Sequence, residues 1–125
     1  MSTRTYTSGG LGSSGAFYGD EIYIAQGGTI QRIYQIPDTA TTDSGATTKW
    51  VTTMGLNGTG NTLATGCDTN TAELVAHAET ELTVAAAYRE IPSGSTIRPI
   101  VTATTGGGSP TDLSAVHLTW VVEIV

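Results

Sequence analysis

Residues 116–125, Val-His-Leu-Thr-Trp-Val-Val-Glu-Ile-Val, carry the clearest pattern in the chain. Every second residue is large and apolar, and between these residues stand His117, Thr119, Val121 and Glu123. Because successive side chains of a strand point to opposite faces, this alternation predicts a strand with one buried face. We expect it to be a central strand whose core anchors are Leu118, Trp120 and Val122.

Similar signals recur along the preceding sequence. Runs rich in β-branched and aromatic residues predict strands, separated by turn residues, at 21–25, 29–36, 48–54, 80–91 and 96–103. The Gly27-Gly28 step predicts a hairpin between the first two strands, Pro37 ends the second of them, and the Asn57-Gly58 step predicts a further turn. Pro99 places its strand at an edge or a bulge. Residues 71–79 fit either a strand, which we favour, or one or two helical turns.

The size and composition of the chain indicate a single all-β domain. The length of 125 residues fits one ordinary domain, threonine makes up about a fifth of the residues, and there are 16 glycines. Threonine suits a pleated strand and glycine suits tight turns. We therefore predict an antiparallel β-sandwich, jelly-roll-like, with about six to eight strands.

The first part of the sequence differs from the rest. Residues 1–19 are rich in Gly, Ser and Thr, and we predict that they form a flexible N-terminal arm on a domain of residues 20–125. The arm carries a few large side chains that we expect to contact a neighbouring subunit, namely Tyr6, Leu11, Phe17 and Tyr18. The predicted role of the arm is to clasp that subunit.

The charge argues against several partners. The formal net charge is −6, with one lysine and four scattered arginines. Nucleic acids and anionic membranes attract clustered basic residues, so we expect neither as a partner. Cys67 is the only cysteine, which excludes an intrachain disulfide, and no signal peptide is evident, which predicts synthesis in a cytoplasm.

Catalytic and metal-binding patterns are missing from the sequence. His77, His117 and Cys67 do not have the spacing of zinc ligands, and no cofactor is expected. A calcium ion held by loop aspartates remains an alternative, at Asp38, Asp43 and Asp68. Paired carboxylates for glycoside hydrolysis would have to come from Glu73, Glu79, Glu81 and Glu90. We predict that the protein is not an enzyme, since such acids usually form a solvated face.

The overall character resembles the small capsid decoration, or cement, proteins and other minor virion proteins of tailed bacteriophages. The likeness lies in the short length, the few lysines, the Thr/Gly/Ser-rich segment 1–19, and the strand-turn-strand sequences 91–99 and 120–125. The resemblance implies a virion location and a homo-oligomer, often a trimer, that binds the major capsid protein or another virion protein. Close alternatives are a tail, neck or fibre-base component. A carbohydrate-binding β-sandwich, with Trp50, Tyr23 and Tyr34 as stacking residues, is a more distant one.

Overall fold

The computed structural model describes residues 3–12, 17–40, 48–58, 60–68, 75–105 and 116–125, without the side chains of 48–49, 67–68 and 103–105. Apart from one short 3-10 turn at Ala86–Tyr88, the regular elements of these residues are all strands. The strands are β1 Arg4–Leu11, β2 Phe17–Tyr18, β3 Ile22–Ile24, β4 Gly28–Pro37, β5 Thr48–Leu56, β6 Thr62–Asp68, β7 Thr80–Val84, β8 Glu90–Ile91, β9 Ser95–Thr105 and β10 His117–Ile124.

The strands form one antiparallel sheet that folds over into a sandwich. The order is β1-β10-β4-β7-β6-β5-β9-β2, with β3 also paired to β9 and β8 paired to the start of β4. The corner lies in β7, which pairs through Thr80–Leu82 with β4 and through Thr83–Val84 with β6. On one side of this corner β1, β10 and β4 form the first sheet, and on the other side β6, β5, β9, β2 and β3 form the second sheet. If β2 and β3 are counted as one interrupted strand and β8 is set aside, the order is that of a jelly roll. The predicted fold class is confirmed.

The strand directions give the sandwich two different ends. Since all neighbours are antiparallel, β1, β4, β6 and β9 finish at one end, and β2, β5, β7 and β10 begin there. The segments 12–16, 38–47, 69–79 and 106–116 therefore all start and finish at that end. The opposite end carries the short connections 25–27, 57–61 and 85–94. Asn57 and Gly58 have positive φ angles of 52° and 113°, which confirms the predicted Asn-Gly turn.

Trp120 lies at the centre of the core. Its side chain is fully buried, and its Nε1 donates a 2.8 Å hydrogen bond to Oε1 of Gln35, which is itself 1% exposed. The other edge of the indole packs beneath Gly10 and Gly19. The predicted anchors Leu118 and Val122 are also fully buried, as is Ile124 of the same strand, and so are many side chains from the other strands, including Ile24, Ile30, Ile33, Met54, Leu63 and Ile97.

The predicted flexible arm is wrong for residues 4–11, which form β1. This strand pairs with β10 along its whole length, from Arg4 opposite Ile124 to Leu11 opposite His117. Its apolar content is low, and the ladder to β10 supplies the stabilisation that this composition lacks. The boundary at residue 20 therefore falls inside the sheet. Residues 1–2 and 13–16 of the predicted arm lie outside the described residues.

The other long edge of β1 closes the sandwich against the β2–β3 segment. Asp20 N donates to Gly9 O at 3.2 Å, and Ser8 Oγ donates to Asp20 O at 2.5 Å. The guanidinium of Arg4 donates to the carbonyl oxygens of Gln26 and Gly27 at 2.5 and 2.8 Å. We call this line of contacts the seam. It covers sheet edges that would otherwise be open to pairing with other chains.

Two further predictions need correction. β3 and β4 do not form a hairpin, because β3 pairs with β9 and the chain crosses to the other sheet at residues 25–27. The predicted strand 80–91 is broken by the 3-10 turn, so only Thr80–Val84 and Glu90–Ile91 are strand. Within 71–79, residues 75–79 form a turn that is neither strand nor helix, and 71–74 lie outside the described residues.

The expectation that Pro99 lies at an edge or a bulge is wrong, because β9 pairs with β5 on one side without a bulge and with β2 and β3 on the other. The carbonyl oxygen of Pro99 accepts a 2.9 Å hydrogen bond from Gly19 N, in the gap between β2 and β3. The N and C=O of a strand residue point to the same side, so the missing N–H of proline also faces this gap. No ladder hydrogen bond is lost there, because the ladder between this segment and β9 is interrupted after Tyr18 and begins again at Ile22.

We predict that Trp120→Ala lowers the free energy of unfolding by about 3–5 kcal/mol, because it leaves a cavity in the core and removes the partner of Gln35. Urea denaturation measures the loss. Tyr23→Ala, at a side chain that is 63% exposed, serves as the control and should change stability by less than about 0.5 kcal/mol. A loss below about 1 kcal/mol for Trp120→Ala would contradict its role as the core anchor.

Gly19→Ala should destabilise the protein by about 1–3 kcal/mol through overpacking. A Cβ at this position would lie 2.9 Å from Cζ3 of Trp120 and 3.0 Å from Cγ of Pro99, and both are parts of rigid rings. The matched control is Gly60→Ala, where a Cβ meets nothing within 4 Å. Equal thermal midpoints for the two variants would show that the seam is not packed as tightly as described.

Candidate interaction surface

The described residues contain no cluster of potential metal ligands. No three His, Cys, Asp or Glu side chains among them come together as metal ligands would. His77 and His117 are both exposed and lie at the end of β4, where His77 N donates to Pro37 O and His117 N donates to Oδ1 of Asp38. In the same part of the chain no helix is long and apolar enough to span a membrane.

The acidic residues that sequence analysis grouped are separated. Glu79 pairs with Arg32, and Glu90 accepts a hydrogen bond from the hydroxyl of Thr29 near the opposite end of β4. Glu81 faces solvent on β7. Glu73 lies outside the described residues, as do the side chains of the candidate calcium ligands Asp43 and Asp68, while Asp38 holds the backbone of His117.

The four predicted interaction residues occupy different environments. Tyr6 and Phe17 are half-buried and pack against the core, so they stabilise the domain itself. Leu11 is 62% exposed and Tyr18 is 56% exposed. These two exposed residues belong to different sheets of the sandwich, since β1 pairs with β10 whereas β2 pairs with β9. Both strands nevertheless border the seam, where Gly9 O accepts a hydrogen bond from Asp20 N, so the two side chains lie on neighbouring strands across it.

A different set of residues forms a surface on the outside of the second sheet. Tyr18 is opposite Ile100, and Tyr23, which is 63% exposed, is opposite Thr96. Arg98 lies between these positions on β9, where the residues on either side of it point into the core. We call Tyr18, Tyr23 and Arg98 the tyrosine–arginine face. The β9 positions opposite the two tyrosines, Ile100 and Thr96, are four residues apart, which corresponds to about 13 Å along the strand.

Arg98 has few interactions within the protein. Its guanidinium lies 5.6 Å from the centre of the Tyr18 ring, a cation–π distance. Its Nε is buried and has no hydrogen-bond partner among the described residues. None of the described carboxylates is within ion-pair distance of it. The guanidinium thus lies beside the exposed Tyr18, and its two terminal Nη groups, which make no hydrogen bond to another described residue, are available to an oxygen acceptor on another molecule.

The first sheet carries a similar pair whose arginine is already occupied. Arg32 lies 4.3 Å from the centre of the Tyr34 ring and makes a 2.5 Å ion pair with Glu79. The hydrogen bond with Glu79 raises the pKa of Arg32, desolvation lowers it, and the charges of Glu79, Glu123 and Glu81 raise it further. This pair is therefore a natural comparison for Arg98 and Tyr18.

Two of the predicted sugar-stacking residues are unsuitable for that role. Trp50 is 3% exposed and belongs to the core, and Tyr34 is half-buried beside Arg32. Tyr23 is exposed as predicted. Comparison of the chain with protein-family models, with curated proteins and with solved structures found no match.

Sequence analysis missed the role of Arg98, because Tyr18, Tyr23 and Arg98 are far apart in the chain and meet only through pairing with β9. One signal was present. Apolar residues alternate with Tyr23 in one strand and with Thr96 and Arg98 in another. If the apolar residues face the core, these three side chains point outwards. The register that aligns these strands is not contained in either segment alone.

Proposed function

We propose that the protein is a virion structural protein, a capsid decoration or cement protein that reinforces a phage head. The observation that carries the proposal is the tyrosine–arginine face, because Tyr and Arg are the residues most enriched among the energetic centres of protein–protein interfaces. The jelly roll adds support by analogy, since it is the fold of many viral capsid domains. A tail, neck or fibre-base component would use the same surface.

The chemistry of the surface suits docking to a protein lattice. Tyr18 and Tyr23 offer large contact areas with few rotatable bonds, and the threonines beside them lose little rotamer entropy on burial. Arg98 can form a charge-assisted hydrogen bond with a carboxylate of the partner, with no internal ion pair to break first. We propose the major capsid protein or another virion protein as the partner, and a cyclic homo-oligomer such as a trimer as the docked form.

A carbohydrate-binding module is the second candidate, because jelly rolls also form lectin domains. Tyr18 and Tyr23 are both exposed on one sheet face about 13 Å apart, a separation that allows both rings to stack on one glycan chain. Binding to a glycan array that Tyr23→Ala abolishes would favour this function. The virion proposal expects no glycan binding of this kind.

The direct test of the proposal is association with particles. Lysates of cells that naturally produce the chain are separated on a density gradient, and the protein is detected with a specific antibody. We expect it in many copies per particle in the fractions that contain nucleic-acid-filled heads, and resistant to washing at moderate salt. Recovery in the free protein fractions alone would refute the virion assignment.

Variants of the tyrosine–arginine face test the docking site on particles that lack the protein. Tyr23→Ala and Arg98→Ala should each weaken binding about tenfold or more, which corresponds to about 1.4 kcal/mol or more per side chain. Arg32→Ala is the matched control on the opposite sheet and should change the Kd by less than about threefold. Thermal midpoints verify that each variant is folded. Equal Kd values for Arg98→Ala and Arg32→Ala would place the docking site elsewhere.

A further inference from the structure

The attachment of β1 to the rest of the sheet is mainly a backbone attachment. Its residues that point towards the core are Arg4, Tyr6, Ser8 and Gly10, of which Tyr6 is the one large apolar side chain, and it is half-buried. Burial of apolar area is the largest favourable term in folding. Withdrawal of β1 therefore costs its ladder hydrogen bonds and little of its own apolar burial.

The seam on the other edge of β1 is short of regular pairing. Among the described residues, one backbone hydrogen bond, Asp20 N to Gly9 O, connects β1 to the β2–β3 segment, and the other hydrogen bonds of the seam come from the side chains of Ser8 and Arg4. β10, in contrast, has backbone ladders on both edges, with β1 on one side and β4 on the other. β1 is therefore the easier of the two strands to detach.

The slot that β1 occupies is selective for this strand. Gly12 N donates to Val116 O, which shows that the even-numbered residues of β1 form the hydrogen-bonded pairs with β10. Ser8 lies opposite Trp120, and a Cβ at Gly10 would lie 3.3 Å from Cα of Gly19 and 3.4 Å from Cζ3 of Trp120. A strand with larger residues at these positions cannot cover the indole without moving it.

We propose that β1 exchanges between copies of this chain, so that the β1 strand of one copy pairs with β10 of a second copy. Exchange of an identical element reproduces all the contacts made within one chain, and it is a low-cost route to an oligomer. The five residues between Leu11 and Phe17 span at most about 17 Å when extended, so the exchanging bodies must lie close together. When β1 of one copy leaves, it uncovers the edge of β10 and one face of Trp120. β1 of the second copy binds there, and this contact is the interface between the copies.

The exchange can be trapped by disulfide formation between two different full-length variants in a Cys67→Ser background. One carries Thr5→Cys and the other carries Glu123→Cys, positions that face each other as a non-hydrogen-bonded pair across β1 and β10. The Cα atoms of such a pair are about 4.5 Å apart, which is within the range of a disulfide. In a mixture of the two variants, the two cysteines meet only when β1 of the first copy lies on β10 of the second.

The two variants are mixed at high concentration, incubated with a mild oxidant and analysed on a non-reducing gel. We expect a covalent heterodimer in at least tenfold greater yield than from the control mixture of Thr5→Cys with Thr83→Cys, whose exposed position on β7 does not face β1. A yield equal to that of the control overturns the proposal. Both sites of the test pair are at the surface or half-buried, and unchanged thermal midpoints verify that the variants are folded.

A rate measurement distinguishes strand exchange from exchange through complete unfolding. The heterodimer should accumulate at least tenfold faster than the global unfolding rate measured by circular dichroism in the same buffer. Accumulation at the global unfolding rate would contradict a separable β1. The two proposals can fail separately. Absence of the protein from particles would refute the virion assignment and leave strand exchange untouched, whereas a failure of the disulfide test would refute strand exchange alone.

Discussion

The position of the Trp120 indole constrains the rest of the structure. Its ring spans the interior, bonded to Gln35 of β4 at one end and pressed beneath Gly10 and Gly19 at the other. A flat ring of this size fits only because the two residues above it have no side chains. The ring of Pro99 fills the space beside Gly19, so a side chain there would have no other place to go. The last strand therefore determines where the first strand and the β2–β3 segment must lie, and with them the closure of the sheet.

The core and the fold class were predictable because they depend on local periodicity. The alternation in residues 116–125 identified the central strand and its buried face, and five large apolar residues of that phase, Val116 to Ile124, are indeed buried. Pro37 and the Asn57-Gly58 step marked a strand end and a turn for reasons confined to their own geometry. Val121 is also buried although it occupies the outward phase, which periodicity could not reveal.

The wrong predictions have a common physical cause, which is that the sequence of one strand does not specify the strand with which it pairs. The Gly27-Gly28 step suits a hairpin as well as a crossing between sheets, and only the docking of β3 on β9 decides between them. Residues 4–11 lack the apolar content of an independent strand, yet β10 offers them a complete ladder. The tyrosine–arginine face escaped detection for the same reason, since β9 brings its members together. Its function as a docking surface remains a proposal.

The two ends of the sandwich impose different limits on how the sequence can vary. At the end with short connections, residues such as Gly27 lie so close to neighbouring backbone that even a methyl group would collide with Ile91. At the other end, the chain joins β1 to β2, β4 to β5, β6 to β7 and β9 to β10, and the register of these strands is set by their partners in the sheets rather than by the length of the connection. One end of the molecule thus holds the scaffold, and recognition elements can be added at the other end while the indole and its glycines stay in place.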